Sequence, residues 1–329
     1  MATTSKPGMS PVKMFSGKTD QKQTQLKACT QEWGRAFFVF LFAMGSLFWG
    51  GLAAANEARF PSRLWQIEHP GEPAVKPSFL LGTIHLSDSD VVALPPHIDQ
   101  VVAKADTLTM EVMLDGQAYQ SFSRSSSLTG STTLSDLVGA SLFNELVSLL
   151  KPRGLNRFGL ERMKPWVVGL MLNYPAPSLD PILDHKLQMR FSRIGKPVYQ
   201  LETVEEQIAI FNQLSMPDQI QFLRYSLEQQ KHFDAYLEQM RGFYLSDDLD
   251  GMQAQAIAQM AEAEEDYLSH LYRELIDIRN QRMAERMQTR LKEGGALIAV
   301  GALHLTGDSG IITLLRQMGY RVTPVLAAR

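Results

Sequence analysis

The chain has 329 residues, 45% of them hydrophobic and 20% charged, with a net charge of -3. Residues 1–35 hold six Lys/Arg against two Asp/Glu, a balance of +4 that leaves -7 on the rest. A mildly acidic body without basic clusters argues against a nucleic-acid footprint, and the length suits one large domain or two smaller ones.

The basic head leads into an uncharged run of 20 residues, Ala36 to Ala55. That length can span a bilayer. A basic stretch, an apolar stretch and small residues at Ala53 and Ala55 also fit a signal peptide. Phe37, Phe38, Phe40, Phe42, Phe48 and Trp49 do not keep to one helical stripe, which argues against a core helix. Positive charge on the N-terminal side directs the rest of the chain across the membrane in either case. The expectation is therefore an extracytoplasmic body, periplasmic or secreted, tied to the membrane only if 36–55 is retained. The one cysteine, Cys29, precedes this run, so a cleaved product would have no disulfide, no catalytic thiolate and no cysteine ligand. No cysteine comes after the run, so a lipoprotein is not expected.

Residues 56–78 read as a linker and a first strand around "RLWQIEH". Phe79–Ile84 is a continuous apolar run ended by Gly82 and His85, the pattern of a buried strand. In "LPPHIDQVVAKA", Pro95 and Pro96 suit a helix start, and Ile98, Val101, Val102 and Ala105 keep helical spacing. "TLTMEVML" reads as a strand, which completes a β-α-β unit. Residues 116–133 are Ser/Thr/Gly-rich and read as a surface loop or flexible insert. Residues 134–192 read as helices broken by "KPRGLNR" and "NYPAPSLDP". "KPVYQLE" is a strand, and Thr203 with Glu206 forms a capping box at the next helix. Long helical stretches over 217–245 and 251–293 come next. "GGALIAVGALHL", "SGIITLLRQMG" and "YRVTPVLA" then read as strand, helix and strand. The fold class expected is α/β: a central mixed or parallel sheet built from two β-α-β units around a mainly helical middle, as one domain over 56–329 with the helical insertion at about 134–293.

The two units share a phrase, "LLGTIHL" and "AVGALHL". Each puts a histidine, His85 or His304, three residues after a glycine, Gly82 or Gly301, at a strand's carboxyl end. Ligands of parallel α/β sheets bind at those ends, so both imidazoles could face one cleft. The alternative is that they merely cap loops. Asp88 and Asp308 come shortly after them and read as helix N-caps. Glu111 interrupts an apolar strand, where a carboxylate needs a partner, a metal or solvent. Glu202 ends a strand before a helix, where an acid also suits the helix N-terminus. In the last long helix, Leu268, Leu271, Leu275, Ile278 and Met283 mark the apolar face. Arg279 and Asn280 fall beside that face. An inward guanidinium needs a carboxylate, which Glu111 or Glu202 could supply; otherwise its head snorkels to water. Met240, Met252, Met260, Met283 and Met287 read as core filler rather than a copper site.

Two imidazoles with one or two carboxylates, His85, His304, Glu111 and Glu202, form a donor set for a divalent metal. With Arg279 and Asn280 they point to metal-assisted hydrolysis, a glutamate handling protons and Arg279 positioning an acid or stabilising an oxyanion. No H-E-x-x-H, G-x-S-x-G, Walker A or G-x-G-x-x-G pattern is present.

The paired Gly-x-x-His motifs, with "MEV", "KPW", "LETVEEQ" and "RNQRM" between them, resemble the TraB/GumN family, which includes the Tiki-type extracellular proteases, over about residues 62–327. The resemblance implies a metal-dependent, peptidase-like hydrolase that uses manganese or cobalt, with zinc also compatible, on a peptide or protein substrate. It implies an α/β fold of the erythromycin-esterase and ChaN-like group. By position it places the paired histidines on His85 and His304, the acids on Glu111 and Glu202, and the helix motif on Arg279 and Asn280. The alternative function is a non-catalytic extracytoplasmic module that binds a peptide, a polysaccharide intermediate or haem on the same cleft.

Overall fold

The computed structural model describes residues 59–113, 115–175, 178, 180–261 and 270–327. The basic head, the 36–55 segment, Leu268 and the side chain of Met260 lie outside the described residues. Among the described residues no helix is long and apolar enough to cross a membrane.

Six strands form one mixed sheet: β1 (Leu64–Glu68), β2 (Ser78–Thr83), β3 (Thr107–Met110), β4 (Val198–Gln200), β5 (Ala296–Gly301) and β6 (Arg321–Pro324). Their order across the sheet is β4-β3-β5-β2-β1-β6. The four strands β4, β3, β5 and β2 run parallel, while β1 is antiparallel to both β2 and β6. The chain thus leaves β2, skips one position to lay down β3, and returns after the helical middle to insert β5 into the gap.

β5 is buried along its whole length, as expected of a strand covered on both faces. Its alternate residues serve two cores. Ile298 and Val300 join Trp65, Ile67, Leu80, Met283, Met287, Ile312 and Leu315 on one face. Leu297 and Ala299 join Leu64, Leu81, Ile98, Val102, Leu108, Leu187 and Phe191 on the other. Met240, Met252, Met283 and Met287 are all buried in the first of these cores, as filler.

A third core is built mainly from helices. The helix Pro165–Leu172 is buried on every side, which fits its apolar circumference. Trp166 stacks on Phe211 at a 5.2 Å centroid distance and meets Phe122 edge-on.

Phe122 belongs to a segment expected to be a loop. Residues 116–125 instead form the helix Gly116–Ser125. Asp115 caps it by accepting from the N–H groups of Gln117 and Ala118. Ala118 and Phe122, four residues apart, supply its buried side. Serine-rich composition hid a short amphipathic helix whose stability comes from the cap and two apolar contacts. The capping box of Thr203 and Glu206 is present at the helix Val204–Asn212. Asp88 occupies the N-cap position of the short helix Ser89–Val92 without a side-chain cap bond. Asp308 caps nothing: it pairs with Arg59 at 2.8 Å, and Gly310 is the N-cap of the helix Ile311–Gln317.

Candidate metal centre at the strand ends

Four parallel neighbours end in four chemically active side chains. Glu202 lies just past β4, Glu111 just past β3 and His85 just past β2, while His304 closes a short 3-10 turn after β5. The sheet order therefore sets Glu202, Glu111, His304 and His85 in a row along one edge. Backbone bonds carry the ladder past the strands: Glu111 N–H donates to the Ala299 carbonyl at 3.2 Å, and Glu202 N–H to the Glu111 carbonyl at 2.9 Å.

The helix Ile278–Arg286 closes the row from above, entered through a single π-turn, Arg273–Asp277. Such turns frequently mark functional sites. Arg279 and Asn280 are both fully buried here. Arg279 Nε donates to Glu202 Oε2 at 2.8 Å, Nη2 to Glu111 Oε1, and Nη1 to the Leu275 carbonyl at 3.1 Å. Arg282 adds two bonds to Glu202 Oε1. Burial disfavours the Arg279 charge, but Glu111 and then Glu202 outweigh it and raise its pKa.

This geometry bears on two of the expected roles. Glu202 has both oxygens engaged by guanidinium groups and anchors Arg279 and Arg282. Arg279 directs its three bonded nitrogens at the two carboxylates and a carbonyl, and so positions them. Glu111 differs from Glu202: its Oε1 takes Arg279 and a 3.1 Å bond from Gln207, while Oε2 accepts the Gly301 N–H at 3.3 Å and faces His304.

Each imidazole is fixed through Nδ1. Asn280 Nδ2 donates to the Ser309 carbonyl at 3.0 Å, which can only accept. Asn280 Oδ1 is therefore the atom 2.6 Å from His304 Nδ1, and Nδ1 carries the proton. The neutral ring then has its lone pair on Nε2, 3.9 Å from Glu111 Oε2. Burial first, then Arg279 and His85, hold the His304 pKa well below the usual imidazole value, against a raising contribution from Glu202. His85 Nδ1 meets Asp184 Oδ2 at 3.1 Å. Burial lowers the His85 pKa, but the Asp184 charge and hydrogen bond, helped by Glu111, win and raise it. At 9% and 7% exposure His85 and Glu111 are the least buried members; Glu202, Arg279, Asn280 and His304 are at 1% or less.

Sequence reasoning missed Asp184, Gln207 and Arg282. Gln207 bridges the two glutamates, 3.1 Å from Glu111 Oε1 and 3.4 Å from Glu202 Oε2. For Asp184 and Gln207 the signal was present in the helix itself. Gln207 stands three residues after buried Val204 and four before buried Phe211, and Asp184 stands three before Leu187 and seven before Phe191. Both are polar residues on an apolar face.

The donor chemistry suits a divalent cation. A ligating histidine typically donates its other ring N–H to a carboxylate or carbonyl oxygen, the arrangement of both rings here. Donors bound at about 2.1 Å can stand at most about 4.2 Å apart around one ion, and His304 Nε2 and Glu111 Oε2 meet that limit. Among the described residues, no three His, Cys, Asp or Glu side chains already converge as a complete ligand set.

The carboxyl ends of parallel strands, where these imidazoles and this carboxylate line up, are where ligands of α/β sheets bind. The family model described as "TraB/PrgY/gumN family" matches residues 63–324, and the chain belongs to that family. Among curated relatives it is similar to the metalloprotease TIKI1 of Danio rerio, 28% identical over 79% of this chain and 62% of the relative. It is also similar to human metalloprotease TIKI1, at 25% identity over 83% of this chain and 64% of the relative. A bacterial relative, the protein YbaP of Shigella flexneri, is 24% identical over 74% of this chain and 89% of its own length. The chain thus spans a little over three fifths of the TIKI proteins it matches. No solved structure matches it.

Proposed function

We propose that this chain is an extracytoplasmic metal-dependent hydrolase acting on peptides, in which His85, His304 and Glu111 hold one divalent cation, manganese or cobalt, with zinc also compatible. The observation that carries the reading is the tying of both Nδ1 atoms, to Asp184 and to Asn280, at neighbouring strand ends. The relatives named metalloproteases support the reaction class. When bound, such an ion would acidify a water and polarise a carbonyl. The chain's own residues hold donors in place. Arg279 fixes Glu111 through Oε1, so that Oε2 is presented to the His304 side. Glu202, neutralised by Arg279 and Arg282, keeps Arg279 from drawing Glu111 away. The export expectation rests on the 36–55 segment, and the same reading groups the fold with the erythromycin-esterase and ChaN-like proteins.

The test is metal content. Full-length protein purified without chelator should carry roughly one ion per chain, and His85→Ala and His304→Ala should each lose it while remaining folded. Digestion of a peptide library should then stop on chelation and resume on adding manganese or cobalt. A second reading, a non-catalytic binding module, is favoured by the lack of a complete ligand set among the described residues. It predicts no bound metal, no cleavage, and saturable retention of a peptide by wild type and both alanine variants.

A further inference from the structure

The repeated phrase is used asymmetrically. In Gly82-Thr83-Ile84-His85 the residue after the glycine has a hydroxyl; in Gly301-Ala302-Leu303-His304 it has none. Ala302 has a steric role instead, since a Cβ added to Gly82 would lie 3.1 Å from its Cα and Cβ. Thr83 has a polar one. Its Oγ1 donates to Asp184 Oδ1 at 2.9 Å, while Asp184 Oδ2 meets His85 Nδ1 at 3.1 Å. All three side chains are buried. Asp184 comes from the first turn of the helix Leu183–Arg193, whose Leu187 and Phe191 pack on the sheet. The carboxylate is thus held at both oxygens, by a strand residue and by the histidine two positions later.

We infer that Thr83 and Asp184 are positioning residues for His85, fixing the ring with its proton on Nδ1 and its lone pair on Nε2, the part Asn280 plays for His304. The inference rests on the metal-centre reading only for its consequence. The tautomer itself is set by the charge: an ionised carboxylate accepts and cannot donate, so the nitrogen facing it must carry the hydrogen. The two histidines are consequently held by unlike partners. His304 has a neutral amide, while His85 has an anion that makes its Nε2 the more basic donor. The first motif needs a hydroxyl after its glycine and the second does not, because only the first recruits its partner from the helix Leu183–Arg193.

The experiment has two readouts on the full-length chain. In the first, metal-free protein labelled with 15N-histidine is followed by long-range proton–nitrogen NMR above the ring's titration, with the His85 signal assigned by its loss in His85→Gln. Wild type should show a protonated Nδ1 and a bare Nε2. Asp184→Ala should revert to the Nε2-protonated form that free imidazole side chains favour. Thr83→Val should broaden or mix the two forms, and Thr83→Ser should restore the wild-type pattern. An unchanged His85 tautomer in Asp184→Ala overturns the proposal. The second readout is cobalt binding followed by the visible absorption of the ion. Asp184→Asn and Asp184→Ala should bind about 10–100-fold more weakly than wild type, with the apo melting curve still cooperative. Wild-type cobalt affinity in a folded Asp184→Ala also overturns the proposal. A wild type that binds no cobalt while showing the expected tautomer sinks the metal-centre reading and leaves the positioning role standing.

Discussion

Arg279 is a guanidinium at zero exposure, and both acids it holds are buried with it. Removing it leaves Glu111 buried without its counter-charge, while Glu202 keeps only Arg282, and breaking a buried pair in this way costs about 3–5 kcal/mol. Arg279→Met should therefore lower the urea-unfolding free energy by that amount. A loss under about 1 kcal/mol, the size of an exposed pair, would mean that the acids reach solvent in the native state. Arg279 was legible because its spacing set it against an apolar face, where a charge needs a partner. Asp184 and Gln207 obeyed the same rule. They were overlooked because one lies beside the proline-broken "NYPAPSLDP" and the other inside "VEEQ", where neighbouring acids make a polar residue look like helix surface. The contacts each residue makes are decided by strand order, which residue spacing does not contain.

At the scale of elements, two devices hold the row in register. The first is the close approach of β2 to the turn after β5. A Cβ on Gly82 would meet Ala302 at 3.1 Å and Leu305 at 3.2 Å, with both neighbours in packed core. Gly82→Ala should destabilise by about 1–3 kcal/mol through overpacking, and Gly82→Ala/Ala302→Gly should recover much of it in thermal denaturation; no recovery would place the strain elsewhere. Gly301 serves differently. Its backbone is extended, with φ of -60°, and its N–H reaches Glu111 Oε2. The second device is the capped helix after β4. Glu206 completes the box with Thr203 and pairs with Arg286, and these contacts, the Arg286 bond first, hold its pKa down from 4.5 to about 2 despite partial burial. A depressed carboxylate stabilises above its unfolded pKa and loses that contribution as pH falls through the folded one. Glutamine keeps the capping geometry, so the melting-temperature gap between wild type and Glu206→Gln should be steady above about pH 5 and close between 4.5 and about 2. A gap that persists at pH 2 would show that the charge is not its source. The capping box was legible from Thr203 and Glu206 alone because it is a local interaction. The helix Gly116–Ser125 was not, because its two apolar contacts are outweighed in composition by serines.

At the scale of the molecule, both β-α-β units and the helical middle could be read from hydrophobic periodicity. The insertion of β5 between β2 and β3 could not, because parallel pairing across more than 200 residues leaves no local trace. That insertion makes a row of residues 85, 304, 111 and 202, which are far apart along the chain. It also accounts in part for the repeated phrase: two adjacent parallel strands each end in a histidine, and the first needs its glycine for close passage by Ala302. The proposed function requires that this row hold one cation between His85, His304 and Glu111. The direct measurement is anomalous diffraction at the manganese or cobalt edge from crystals of the metal-loaded chain. A single peak is expected within about 2.2 Å of both histidine Nε2 atoms and of a Glu111 oxygen. A well-occupied peak away from those three residues, or none in crystals of folded protein grown with excess metal, would contradict it.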